Sequence, residues 1–139
     1  MRLAIDAMGN DRGHAPIIQG VCDYLRRDGE NAVILVGNRE ILTKALAEAG
    51  VSEAPGRLEI AHASQVMEME DKVSDLREKR DSSIMRLVQE VKEGRADAMV
   101  ALGNTAAAVA AATIGLRLLP GVHRAGIAVP LPTRKGPCV

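Results

Sequence analysis

Short, continuous aliphatic runs alternate with longer stretches of helical spacing along nearly the whole chain. The clearest run is Ala32–Gly37, which reads Ala-Val-Ile-Leu-Val-Gly without one polar side chain. A strand that is apolar at every position needs cover on both faces, as in a parallel sheet flanked by helices. Residues 2–8, 57–62, 98–102 and 126–131 read as further strands. A helix is expected over 16–27, with Pro16 at the first turn, where a missing N–H costs nothing. Ile41, Leu42, Ala45, Leu46 and Ala49 share a helical face between a capping Asn38 and a terminating Gly50. Ser82 or Ser83 caps another helix, through Val91 and closed by Gly94, and an alanine-rich helix over 104–119 stops at Pro120-Gly121. The charged residues 68–81 between them read as a solvated loop and helix. Strands alternating with helices of this length predict an α/β fold with a mainly parallel sheet and helices on both sides.

Composition narrows the rest. Of the 139 residues 47% are hydrophobic but only 1% aromatic, so the core is built from Ala, Val, Leu, Ile and Met. The 18 basic and 18 acidic residues cancel, leaving no global field to draw the chain to nucleic acid. The absence of Phe and Trp removes the usual base-stacking platforms as well. Cys22 and Cys138 match no zinc or redox spacing, which together with the lack of a signal peptide implies a reducing, cytoplasmic setting. The longest apolar stretch, 106–119, is short for a membrane span and contains Arg117. There is no repeat and no linker, and the chain stops at Cys138-Val139 with no helix to cover its last strand. A truncated part of a single α/β domain over 1–139 is therefore expected.

Three segments fall where an α/β sheet binds ligands, at the carboxyl ends of strands or at helix starts. The first runs from Asp6 through Gly9, Asp11 and His14 to Pro16, with glycines for tight turns and polar groups ahead of a helix N-terminus that favours an anion. A polar loop with a local aspartate cap explains the same residues. The second is Gly103-Asn104-Thr105, read as a phosphate cradle or as a helix cap. The third is Lys79-Arg80-Asp81-Ser82-Ser83, two cations beside two hydroxyls, read as an anion contact or as a solvated charge run ending in a serine cap. Weaker candidates are His62 at a strand end, Met67 and Met69, the lone aromatic Tyr24, and the turn cations Arg134 and Lys135. No catalytic residue is singled out: there is no nucleophile with a base in register, and no metal-ligand cluster. No cofactor is called for.

Taken in order, these segments resemble a known family. Ile5-Asp6-Ala7-Met8-Gly9 with Asp11 and His14-Ala15-Pro16 comes first. Leu35-Val36-Gly37, His62-Ala63-Ser64 with Met69, and Lys79 with Ser82-Ser83 follow. Val91-Lys92-Glu93-Gly94, Ala96-Asp97-Ala98, Gly103-Asn104-Thr105, Arg124-Ala125 and Pro130-Leu131-Pro132-Thr133 complete the series. The chain is similar along essentially its whole length to the bacterial acyl-carrier-protein:phosphate acyltransferases of phospholipid synthesis. Departures are Asn10 in place of a second glycine, the longer loop with Arg12-Gly13, and the bulkier Leu102 and Ala106 around Gly103-Asn104.

The resemblance implies a Rossmann-like three-layer α/β/α sandwich, usually a homodimer. It implies acyl carrier protein and inorganic phosphate as partners, with acyl phosphate as product. It further implies a cytoplasmic enzyme, peripheral to the membrane, that feeds a membrane acyltransferase. Family members run to well over twice this length, so the second half of the site is expected elsewhere. Competing readings are a phosphate- or nucleotide-binding module without chemistry, and an inactive fragment of the acyltransferase.

Overall fold

A computed structural model of the chain describes residues 1–27, 29–134 and 136–138. Its element order is β1 (Arg2–Asp6), α1 (Ala15–Arg27), β2 (Ala32–Gly37), α2 (Arg39–Glu48), β3 (Leu58–His62), a 3-10 turn (Val73–Arg77), α3 (Ser83–Lys92), β4 (Ala98–Val100), α4 (Thr105–Leu116), β5 (Leu131–Thr133) and β6 (Gly136–Cys138). The first four strands form one parallel sheet in the order β3-β2-β1-β4. Residue Ile5 of β1 pairs Leu35 of β2 on one side and Val100 of β4 on the other.

The two faces of the sheet follow from the alternation of side chains along each strand. Val33 and Leu35 of β2 and Leu58 and Ile60 of β3 point to one face, where Ile17, Ile18 and Val21 of α1 and Leu42 and Leu46 of α2 cover them. Ala4 of β1 with Ile34 and Val36 of β2 point the other way, onto Leu87 of α3. Both faces of β2 are thus buried, as its uninterrupted apolar sequence requires. Helix α4 then lies on α3 through Ala107 and Ala111 against Ile84 and Val88, with Met67 and Leu76 closing the cluster. Each fully buried Leu or Ile in these layers contributes about 1.5–3 kcal/mol. The layering is the Rossmann-like α/β/α sandwich expected from the sequence.

Local signals act as read in several places. The Asn38 side chain accepts from the Glu40 and Ile41 amides at 3.0 and 3.2 Å, capping α2. Gly50 follows that helix at φ +71°, a left-handed conformation that costs other residues energy. His62 is a structural residue, its Nδ1 accepting from the Arg39 amide at 3.3 Å. Met67 is fully buried in the loop it belongs to, whereas Met69 is exposed. Tyr24 packs against the α1–α2 core.

Two readings need correction. The 126–131 segment does not join the sheet: residues 126–130 are irregular, and Leu131–Thr133 pairs antiparallel with Gly136–Cys138 as a separate, exposed ribbon. Pro130, Pro132 and Pro137 supply no N–H to a ladder, which confines the segment to an edge. The alanine-rich helix ends at Leu116 rather than 119, where Arg117 takes a positive φ of 68°. Within the anticipated turn at 134–137, Lys135 lies outside the described residues, as do Asp28 and Val139.

Candidate functional site

The chain reverses its direction of travel across the sheet beside β1. From β1 it proceeds outward to β2 and β3, then returns to place β4 on the opposite flank. In open α/β sheets this switch is where strand ends leave a crevice for ligands. Here the crevice edge is made by the loops after β1 and β4, and both carry glycine at the point of approach.

Asp6 ends β1 and turns its side chain to the α3 face, in phase with Ala4. Its Oδ1 accepts from the Met8 amide at 2.9 Å and the Gly9 amide at 3.2 Å, folding the loop back over the strand end. Asp6 is 1% exposed, and its Oδ2 has no hydrogen-bond partner among the described residues. A Cβ on Gly9 would stand 2.8 Å from that oxygen, so only glycine leaves it room. Burial pushes the Asp6 carboxyl above its ordinary 3.8; the Met8 amide, the nearby Ser83 hydroxyl and the Gly9 amide pull the other way. Ser82 and Ser83 are both 0% exposed at the start of α3, and neither hydroxyl has a hydrogen-bond partner among the described residues. Ser82 stands at the cap position without capping, because its backbone is fixed by a parallel bridge to Gln65. The Ser83 amide donates to the Gln65 carbonyl at 3.0 Å and locks the register.

Gly103 brings the β4 loop against the β1 loop: a Cβ there would fall 1.8 Å from the Gly9 carbonyl oxygen. Directly after it, Asn104 caps α4, its Oδ1 accepting from the Ala107 amide at 3.0 Å. The other end of the same side chain donates to the carbonyls of Glu68, Met69 and Asp71 at 3.1, 3.4 and 3.0 Å. Lys79 holds that segment from the far side, donating to the Val66 carbonyl at 3.0 Å and pairing closely with Asp71. The pairing raises the Lys79 pKa and lowers that of Asp71. Asn104 and Lys79 are therefore committed to fixing residues 66–71 across the strand ends.

Of the ten residues singled out, Asp6, Gly9, Lys79, Ser82, Ser83, Gly103 and Asn104 are drawn into this one region through the contacts above, and Thr105 follows Asn104 as the first residue of α4. Asp11 and His14 are not. Asp11 is exposed on an Asn10-stabilised turn, in which the Asn10 amide nitrogen donates to the Gly13 carbonyl at 3.0 Å. His14 faces α2, lining a separate depression with Ile41, Lys44 and Glu48. What the sequence did not reveal is the partner set: Asp71, Gln65 and the carbonyls of 66–71 carry no local pattern that distinguishes them from other loop residues.

The group left available to a ligand is the first turn of α4. The Thr105 and Ala106 amides have no acceptor among the described residues, and Thr105 is exposed with a free hydroxyl. Two unpaired N–H groups at the positive end of a helix attract an anion. On the α1 side of the sheet an apolar depression of about 270 Å³, lined by Ile5, Asn10, Pro16, Ile17, Val100 and Leu102, opens between α1 and the β1–β4 edge. Leu102, which lines it, belongs to the loop that leads into α4.

Comparison with known proteins gives one consistent result. Residues 1–139 match the family model described as fatty acid synthesis protein. The phosphate acyltransferase of Alcanivorax borkumensis is 42% identical over 137 residues, covering 98% of this chain and 40% of that protein. That of Koribacter versatilis is 45% identical over 136 residues, covering 96% of this chain and 37% of the relative. That of Aliarcobacter butzleri is 37% identical over 133 residues, covering 96% and 39%. The chain spans about two-fifths of the length of the curated relatives it matches.

Proposed function

Because the chain belongs to the fatty acid synthesis protein family, we propose that it supplies the phosphate-binding part of an acyltransferase joining inorganic phosphate to an acyl group carried on acyl carrier protein. The observation that carries this reading is the close approach of Gly103 to Gly9 at the switch in strand order, in the loop that leads directly to the unpaired amides of Thr105 and Ala106 at the start of α4. A phosphate oxygen attacks the thioester carbonyl, the new O–C bond forms, and the C–S bond breaks to release the carrier thiol and acyl phosphate. No covalent enzyme intermediate is needed, since phosphate is itself the nucleophile. The demands on the protein are an oriented phosphate and donors for the developing oxyanion.

Within this reading, 1–139 forms part of a single α/β domain that works as a homodimer at the cytoplasmic side of the membrane and passes acyl phosphate to a membrane acyltransferase. Two features support an extended partner surface. Strand β4 is an uncovered edge, and Leu119 and Ile127 are 75% and 69% exposed. No helix among the described residues is long and apolar enough to cross a membrane.

The test is steady-state kinetics on the protein expressed from its complete open reading frame, with phosphate and acyl carrier protein varied separately. Thr105→Val keeps the shape of an exposed side chain and removes one hydroxyl. A hydrogen bond to a charged ligand is worth about 1.5–3 kcal/mol, so the KM for phosphate is expected to rise roughly tenfold or more. The KM for the carrier protein stays as it was. Unchanged phosphate dependence in folded Thr105→Val would move the phosphate away from α4.

A further inference from the structure

Away from the strand ends, the 3-10 turn and helices α3 and α4 enclose a groove made of two adjoining depressions of about 540 and 420 Å³ that share Arg80 and Met85. Its floor is apolar: buried Leu76, half-buried Met85, and Ile114, which is 67% exposed. Its depth depends on Gly115, where a Cβ would fall 2.1 Å from Val88 Cγ1, so α4 can lie this close to α3 only with glycine.

The rim is cationic. Arg77, Arg80 and Lys92 are exposed along it, and none forms an ion pair among the described residues. Arg26, Arg39, Lys44, Arg86 and Arg95, by contrast, each face a carboxylate. The one carboxylate lining the groove, Glu93, is already engaged by Gln89 and Arg95. Three cations free of ion pairs among the described residues and one engaged carboxylate therefore line an exposed apolar trough.

We propose that this groove docks an acidic protein partner through an amphipathic helix, whose apolar side chains enter over Met85 and Ile114 while its carboxylates meet Arg77, Arg80 and Lys92. The shape selects among partners. A concave trough takes a helical ridge, the geometry of helix-in-groove recognition, whereas a flat lipid surface would leave the floor unfilled. The charges add orientation and a faster encounter, both of which weaken with salt. The inference rests on the acyltransferase reading only in its choice of partner: acyl carrier protein, a small acidic helical protein, is the carrier named there and the probe used here.

The experiment measures acyl carrier protein binding by fluorescence anisotropy, at low and high salt, to the protein expressed from its complete open reading frame. Arg77→Glu with Arg80→Glu is expected to weaken binding roughly tenfold or more at low salt and to flatten the salt dependence. Lys92→Glu, at a side chain without a hydrogen bond or ion pair among the described residues, tests the same rim should the double variant misfold. Lys44→Glu on α2, across the sheet, makes the same charge change and leaves affinity intact. Phosphate-dependent cleavage of a small acyl thioester without carrier separates this inference from the proposed reaction: it persists in the rim variants if only docking is lost. Unchanged carrier affinity in folded rim variants overturns the inference and assigns the groove to the protein's own further segments or to a second copy. Loss of binding to phosphatidylglycerol vesicles with carrier affinity intact overturns it in favour of a membrane contact.

Discussion

Gly103 lies so close to Gly9 that a Cβ built on it would sit 1.8 Å from the Gly9 carbonyl oxygen. The contact joins the two loops that end β1 and β4, and it explains why an otherwise bulky sequence around Asn104 still meets the first loop. Leu102 and Ala106 take their extra volume elsewhere: Leu102 is exposed toward the apolar depression, and Ala106 faces outward on α4.

Gly103→Ala is expected to push the β1 and β4 loops apart. Overpacking in a well-fitted site typically costs about 1–3 kcal/mol, and here the obstructing atom is backbone, which cannot rotate away. Thermal unfolding is expected to show a loss within or above that range. A variant as stable as the parent would mean that the loops separate freely and do not form a fixed crevice.

Asn104 has two tasks that substitution can part. Asn104→Asp retains an oxygen for the Ala107 amide and places negative charge at a helix N-terminus, so the cap survives. It loses the donor that holds the carbonyls of Glu68, Met69 and Asp71. Amide hydrogen exchange is expected to speed up in residues 66–71 while α4 stays protected. Asn104→Ala loses both functions, with about 1 kcal/mol for the cap alone.

Asp6 makes stability depend on pH in an unusual direction. Its folded pKa is raised by burial, so the folded state holds this proton more tightly than the unfolded chain does. By linkage, stability then falls as pH rises from the ordinary 3.8 through the higher folded value. Asp6→Asn keeps an acceptor for the Met8 and Gly9 amides and removes the buried charge. It is expected to unfold at a higher temperature than the parent at pH 7, and to lose this part of the pH dependence. A lower unfolding temperature at pH 7 would mean that the charged form is stabilised by groups beyond Ser83.

How far the sequence led depends on the range of the interactions involved. Strand β2 was legible because every one of its residues is apolar, and helix α2 because Asn38 and Gly50 act within a few residues of themselves. The 126–131 run was misleading because aliphatic content mimics a strand, whereas Pro130 and Pro132 lack the N–H groups that a strand inside the main sheet would donate. Ser82 was legible as a helix start but not as a buried hydroxyl. Its burial is decided by pairing with Gln65, which lies far from it along the chain. Lys79 and Asn104 read in the sequence as anion contacts, yet in the fold both also hold backbone carbonyls of 66–71, and carbonyls leave no trace in sequence.

The Lys79–Asp71 pair is expected to show its contribution in acid, on the opposite side of 3.8 from Asp6. The Lys79 ammonium first, and the Glu68 amide second, lower the Asp71 pKa in the folded state. A depressed carboxylate pKa gives stability that is complete above the unfolded value and is lost as pH falls through the folded one. The window therefore lies below 3.8. Lys79→Met keeps the aliphatic stem over the loop and removes the charge and the bond to the Val66 carbonyl. At pH 7 the variant is expected to unfold at a lower temperature than the parent. The gap narrows below pH 3.8 as Asp71 takes up its proton in the parent as well. Denaturation midpoints measured down through this range on Lys79→Met, Asp71→Asn and the double variant separate the ion pair from the carbonyl contact. A gap that keeps its full size in acid would assign the loss to the Val66 carbonyl alone and leave Asp71 without a part in holding the loop.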